Sequence, residues 1–269
     1  MKPHSFLFED DLKLILAAAQ EAGDLARKLR RQGLEIEYKE ADGTPVTNAD
    51  LAADKLLTER LRGARPDYGW LSEETADARD RLDCRRIFVV DPIDGTRAFL
   101  RDRPWWSVAI AVVEDGLPVA AAVYAPELDE TYAAAAGQGA TRNGRPLVPS
   151  AATALEDCRM VGDPVVFAHW SWPIAWPPMH VEQRNSTAYR MCLVAAGDFD
   201  AAVAPVRKSD WDVAAGDLIA REAGCFVGDH AGDGYRYNRA RPSQASLICC
   251  TPALTPLILE RVGHIGARN

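Results

Sequence analysis

The stretch Val89-Val-Asp91-Pro-Ile-Asp94-Gly-Thr96 decides how the rest of the chain is read. It continues Arg85-Arg-Ile-Phe, so residues 85–90 form a strand pattern that runs straight into Asp91. Pro92 and Gly95 fix a tight turn there, and strand ends are where α/β folds set their functional side chains. Two carboxylates on one such turn can face a common point, and the Ile93 carbonyl can add a neutral oxygen. Gly95 and Thr96 then open a helix whose free N–H groups can meet an anion. A cation on one side and an anion on the other is a chemically complete arrangement. A plain turn and cap would also account for these residues taken alone.

Three further segments carry acids at turn or helix-start positions. They are Trp70-Leu-Ser-Glu73-Glu74, Ser209-Asp-Trp-Asp212 and Thr44-Pro-Val-Thr47-Asn-Ala-Asp50. Each by itself reads as a solvated face or a helix cap. If they converge, two carboxylates ~4 Å apart repel by about 4 kcal/mol at an effective dielectric of ~20. Such a cluster takes up protons or binds cations. All-oxygen donors without Cys or His suit Mg²⁺, Mn²⁺ or Ca²⁺ rather than zinc, and Mg²⁺ is the usual ion where phosphate completes the shell.

Outside these segments the composition is that of a globular protein: 48% of the 269 residues are hydrophobic and 26% charged. The net charge of −8 comes with no basic tract, which argues against nucleic acid as a partner. The apolar runs 108–113 and 119–124 are too short to cross a bilayer, so no membrane partner is expected. The start MKPHSFLFEDD has no secretory pattern, and a cytoplasmic location is expected. Six cysteines without CxxC spacing read as buried thiols, and five dispersed histidines suggest no zinc site. Along the chain, residues 10–31 form an amphipathic helix and a second helix ends near Leu61, with Thr47 or Asn48 as its cap. Residues 107–113 and 119–124 flank a hairpin turn at Asp115-Gly116, and 131–136 with Asn143-Gly144 continues an antiparallel pattern. After about residue 150, short strands near 158–162, 199–204 and 246–250 alternate with helices over 186–196, 210–223 and 252–262. That alternation predicts a more parallel second half, 151–269, following an N-terminal half of 1–150. The Trp- and Pro-rich segment 167–178 reads as a packed surface loop, or as an aromatic wall over a substrate or subunit contact.

Taken together, Ser72-Glu-Glu, Asp91-Pro-Ile-Asp-Gly-Thr96 and Trp211-Asp-Val-Ala-Ala-Gly216 followed by Glu222-Ala-Gly resemble the inositol monophosphatase family. That family includes the 3'(2'),5'-bisphosphate nucleotidases and is distantly similar to fructose-1,6-bisphosphatase. The resemblance implies an α+β fold, a five-layer αβαβα sandwich with the site between its halves. It implies a Mg²⁺-dependent phosphatase, a phosphoric monoester hydrolase working by metal-activated water attack. Glu73, Asp91 and the Ile93 carbonyl would hold a first ion, and Asp91, Asp94 and Asp212 a second. Two or three Mg²⁺ ions are expected, with Mn²⁺ possible and Li⁺ inhibitory. Asp50 and Thr96, with Glu73, would be catalytic, and Glu74 a supporting residue. The Gly95 and Thr96 amides would hold phosphate, and Ser186, Lys208 and Asp212 would meet substrate. A homodimer is expected.

The substrate expectation is divided between an inositol or sugar monophosphate and a nucleoside 3',5'-bisphosphate, with histidinol phosphate as an alternative. Animal inositol monophosphatases carry a glutamate where this chain has Pro205, while Lys39-x-x-Asp42-Gly-Thr-Pro-Val-Thr-x-Ala-Asp50 is similar to bacterial nucleotidases and some histidinol-phosphate phosphatases. Arg207 and Lys208 could meet a second phosphate. The competing functional class is a metal- or phosphate-binding regulatory protein with weak turnover.

Overall fold

The structure, a computed structural model, describes residues 8–39, 43–168 and 172–265, so Asp42 and residues 169–171 of the Trp-rich segment lie outside it. Helix α1, Glu9–Gln32, buries Ile15, Ala18, Ala19, Ala22 and Ala26 on one face. Acids in its first turn and Arg30 and Arg31 in its last complement the helix dipole. Two short strands, β1 (Ile36–Tyr38) and β2 (Pro45–Thr47), pair antiparallel before α2, Asn48–Ala64. Strands β3 (Gly69–Ser72) and β4 (Arg86–Asp94) follow, then the short helix α3 (Thr96–Leu100). Next come β5 (Ser107–Glu114), β6 (Leu117–Ala125), β7 (Glu130–Ala135), β8 (Ala140–Arg142) and β9 (Arg145–Pro146). The β5–β6 and β8–β9 turns carry positive φ at Asp115-Gly116 and Asn143-Gly144, the conformation that two-residue hairpins need.

The later chain forms β10 (Arg159–Val161), α4 (Pro164–Ala168), β11 (His180–Glu182), α5 (Thr187–Ala195) and β12 (Ala201–Ala204). It continues with β13 (Lys208–Ser209), α6 (Asp210–Ala223), β14 (Phe226–Gly228), β15 (Ser243–Gln244), β16 (Leu247–Cys250) and α7 (Thr255–Val262).

Strands β3 to β9 form a seven-stranded sheet in chain order, parallel at β3–β4 and antiparallel elsewhere. Side-chain alternation splits its two faces. Phe88, Val90, Val108, Ile110, Val112 and Ala122 pack with α1 and α2, whereas Ile87, Val89, Ala109, Ala111, Val113 and Val123 pack with α5 and α6. A five-stranded sheet, ordered β11-β10-β12-β16-β14, covers the other side of α5 and α6 through Val161, Ala202, Ala204, Leu247 and Cys249. Its outer face, with Met160, Ala201, Val203, Ile248 and Cys250, packs on α7 and on Phe167, Trp172 and Trp176. The result is the expected five-layer αβαβα sandwich.

Two expectations need correction. The second sheet is mixed rather than mostly parallel: β10 pairs parallel with β11 and β12, but β16 runs antiparallel to β12 and β14. The strand–helix alternation did not reveal this, because the turn-rich residues 229–242 bring β16 back without a crossover helix. The last helix starts at Thr255, with residues 252–254 in a tighter 3₁₀ turn. All six cysteines are free thiols, and only Cys84 is not buried. No helix among the described residues is long and apolar enough to cross a membrane.

Candidate active site

Strands β3 and β4 run parallel with Ser72 opposite Val90, and the Glu73 amide donates to the Val90 carbonyl at 3.2 Å. Glu73 therefore leaves its strand beside Asp91. Strand β4 continues, but its register with β5 slips: Asp91 faces Ala109 and Asp94 faces Ser107. One extra residue on β4 makes a bulge, which tolerates Pro92, with its missing N–H, and re-aims the acids on either side. The Asp91 Oδ1 accepts the Ile93 amide at 3.0 Å, closing the turn. Gly95 then caps α3 at φ 95°, and a Cβ there would lie 3.0 Å from the Ser186 nitrogen and 3.1 Å from the Trp105 carbonyl. Both the left-handed backbone and the close approach demand glycine.

Asp94 is held by the start of α5. Its carboxylate accepts the Ser186 hydroxyl at 2.6 Å and the Thr187 and Ala188 amides at 3.1 and 2.7 Å. Asp212 is the third residue of α6, and its Oδ2 accepts the Ser209 amide at 3.0 Å in a capping box. Carboxylate oxygens of Asp91, Asp94 and Asp212 come within 4.8 Å of one another. With Glu73 they line a cavity of about 390 Å³ that also includes Gly95, Thr96, Arg97, Thr187, Arg190 and Lys208. The loop carrying Glu73 is tied to α2, because Asp54 accepts the Ser72 and Thr75 hydroxyls.

The crowding appears in the protonation equilibria. Burial pushes Asp91 well above the usual carboxylate range, and Glu73, Asp94 and Asp212 push it further. Burial also raises Asp94, despite its three donors. Asp212 is raised to about 7 by burial, which outweighs the opposing pull of Lys208. Glu74 is raised to about 7 by burial and by Glu73. The nearest compensation is Lys39, whose Nζ lies 2.8 Å from Glu73 and 2.9 Å from Glu74. Burial works against that ammonium, yet the two glutamates hold its pKa above the ordinary lysine value. A hard divalent cation matches this donor set: all oxygen, convergent, buried and short of positive charge.

Asp50 lies behind Glu73 in the first turn of α2. Its Oδ2 accepts the Thr47 amide at 2.8 Å and the Thr47 hydroxyl at 2.6 Å. Burial raises its pKa to about 6, against the pull of those bonds and with a push from Glu73. The Thr96 hydroxyl donates to the Ile93 carbonyl at 3.2 Å, so Asp50 and Thr96 bond to other partners rather than to each other. Ser186, expected as a substrate contact, is fully buried, and its hydroxyl is engaged by Asp94 and by Ser107 at 3.0 Å. It sits behind Asp94 rather than in the cavity wall. Lys208 does line the cavity, donating to the Thr187 hydroxyl at 3.2 Å.

The sequence reading did not single out Lys39, Thr187 or Arg190 as site residues. The Arg190 Nε donates to the Arg184 carbonyl at 2.6 Å, and its guanidinium has no salt-bridge partner among the described residues. Burial lowers its pKa although Asp94, Asp163 and Asp212 are near. An arginine on a helix gives no sequence signal of this kind. Only the anchoring of the start of α5 on Asp94, at the end of β4, brings it to the cavity.

A model of the inositol monophosphatase family matches residues 9–266. The chain is 35% identical over 229 residues to the histidinol-phosphatase of Mycobacterium tuberculosis, covering 80% of this chain and 85% of that protein. It is 33% identical over 253 residues to the inositol-1-monophosphatase of Rhizobium meliloti, covering 89% and 90%. Among solved structures, the IMPase of Thermotoga maritima superposes with a TM-score of 0.80 at 26% identity, covering 96% of this chain and 98% of that one.

Proposed function

The chain belongs to the inositol monophosphatase family and is a phosphatase, a hydrolase of phosphoric monoesters, and from that premise we propose how its carboxylate cavity works. Glu73, Asp91, the Ile93 carbonyl, Asp94 and Asp212 would hold two or three Mg²⁺ ions, replaceable by Mn²⁺ and displaced by Li⁺, and these ions would supply Lewis acidity and lower the pKa of water in the site. The residues of the chain supply the rest. Asp50, with a pKa of about 6, accepts the proton of the attacking water. Thr47 fixes one of its oxygens and leaves the other for that proton. Thr96 completes the relay, its hydroxyl turning from the Ile93 carbonyl when the ester is in place. Glu73 orients the water. The Gly95 and Thr96 amides, with Lys208 beside Asp212, meet the phosphate oxygens. Arg97 and Arg190 add positive charge to the wall of a cavity that must admit an anion.

The observation that carries this reading is the convergence of Asp91, Asp94 and Asp212 within 4.8 Å, beside Glu73, at one strand end. The substrate is a small-molecule ester, and the working form is a cytoplasmic homodimer that engages neither nucleic acid nor membrane. The acidic balance of −8 without a basic tract supports the exclusion of nucleic acid. The test is phosphate release from glycerol phosphate, inositol 1-phosphate, histidinol phosphate and adenosine 3',5'-bisphosphate, with Mg²⁺ or with chelator. Release that needs Mg²⁺ and falls with Li⁺ is expected. Mg²⁺ binding without release from any ester would replace the enzyme with a binding protein. Sedimentation velocity checks the dimer.

A further inference from the structure

A second cavity, of about 320 Å³, adjoins the carboxylate cavity, and Asp163 lines both. Its position follows from the second sheet. Strands β10 and β12 are parallel neighbours that end on the same edge, at Val161 and Ala204. Asp163 follows the first strand and Pro205 the second, and the chain after Pro205 reaches Lys208 and Asp212 in the carboxylate cavity. The remaining wall is apolar apart from the His264 ring: Val165 and Val166 from α4, Trp172, Pro205 and Ile265.

We infer that this cavity takes a flat aromatic heterocycle carried by the alcohol of the substrate, so that the enzyme prefers nucleoside-type phosphates to polyol phosphates. The inference rests on the phosphatase reading above and narrows its substrate class. A polyol would lose water from every hydroxyl here and find only Asp163 and the His264 ring to bond to, so most of its hydroxyls would stay unpaired. The Trp172 indole N–H is already given to the Val166 carbonyl at 2.6 Å, so the residue offers only its ring. That ring is held in place by edge contacts with Trp176 at 5.6 Å and His264 at 5.5 Å. Val165 is 68% exposed, an apolar surface that a ring in the cavity would cover. Asp163 and the His264 ring, whose buried Nδ1 has no hydrogen-bond partner among the described residues, supply the few polar features that could meet ring nitrogens and an amine. One Asp163 oxygen accepts the Val165 amide at 3.0 Å, which leaves the other for an exocyclic amine or ring N–H. The volume is at the lower end of the range for small-molecule sites, suited to one ring system and not to a whole nucleotide. The phosphate then lies next door, across Asp163.

The test compares kcat/KM with Mg²⁺ for adenosine 3',5'-bisphosphate, inositol 1-phosphate and glycerol phosphate, in the wild type and in Val166→Asp and Trp172→Leu. Wild type is expected to favour the adenosine ester over the inositol ester by about 10-fold or more. Each variant should lower the ratio of kcat/KM for the adenosine ester to that for glycerol phosphate by about 10-fold, mainly through KM. Calorimetry with adenosine alone, on metal-free protein, gives a second readout: binding to wild type and none to Val166→Asp. Thermal melts identify a variant that has not folded, and the wild-type preference and the adenosine titration then decide alone. Equal kcat/KM for the adenosine and inositol esters, together with no adenosine binding, would overturn the inference while leaving the phosphatase intact. Release from no ester at all would remove the phosphatase reading itself.

Discussion

Asp91 sits where every acid of the site is felt. It is 1% exposed, and its charge is opposed by burial and by Glu73, Asp94 and Asp212 together. Its replacement therefore has opposite effects on function and stability. Asp91→Asn keeps the shape but removes a buried charge and, on the proposed mechanism, an oxygen ligand shared by two ions. Turnover should fall below detection and Mg²⁺ affinity should drop, while the melting temperature in chelator should rise by a few degrees, as measured by activity, calorimetry and thermal melts. Wild-type turnover at saturating Mg²⁺ would take Asp91 out of the site. Thr96 is a subtler case, since its hydroxyl rests on the Ile93 carbonyl. Thr96→Ala should lower kcat by roughly 10²-fold with little change in stability, and an unchanged kcat would assign the proton transfer elsewhere.

At the scale of elements, the site is a set of helix starts aimed at one strand end. The capping residues Asp94 and Asp212 serve two purposes: like Asp50, each bonds the N-terminal turn of a helix, and both also line the cavity. Thr47→Ala removes all three bonds of the threonine hydroxyl at the head of α2, the one it donates to Asp50 and the two it accepts from the Ala49 and Asp50 amides. It should cost about 1 kcal/mol of stability. Because the lost donor holds the Asp50 pKa down to its value of about 6, that pKa should rise. The acidic limb of the kcat/KM–pH profile should then move to higher pH; a limb that stays put would separate Asp50 from the titration.

The same scale explains what the sequence could reveal. Helix α6 was legible at both ends because Ser209 and Gly224 punctuate it, and Asp91 to Thr96 was legible because strand, turn and helix start follow in direct succession. The strands β1, β2, β13 and β15 have only two or three residues each, too few for any period to show. Lys39 and Arg190 escaped notice for a different reason. A lysine after a short strand and an arginine on a helix are ordinary surface features until tertiary packing aims them inward. The aromatic segment was noticed by composition alone, and its place beside the site depended on the order of strands in the second sheet.

At the scale of the molecule, the acid cluster couples protonation to folding. Asp50, Asp91, Asp94, Asp212 and Glu74 all have folded pKa values above their ordinary ones, reaching about 6 to 7 where a value is set. The native state therefore holds protons that the unfolded chain has released above about pH 4. For groups shifted in this direction, their contribution to stability is greatest at or below the unfolded values and is lost as pH rises through about 4 to 7. In chelator, melting temperature should fall between pH 5 and 8. Mg²⁺ should reverse the fall, by about 2.7 kcal/mol at a hundredfold excess over Kd. A melting temperature in chelator that is flat across this range would mean that the acids are not crowded in solution.

Helices α5 and α6 are lined on one side by the first sheet and on the other by the second. Severing the chain near residue 150 would thus leave Ala109, Ala111, Val113 and Val123 wetted along a whole flank, although every strand of that sheet would be retained. Neither piece should survive alone as a monomeric soluble fragment. Co-expressed, the pieces should reassemble through that shared stratum and recover Mg²⁺-dependent hydrolysis, since Asp212 comes from one and Asp91 from the other.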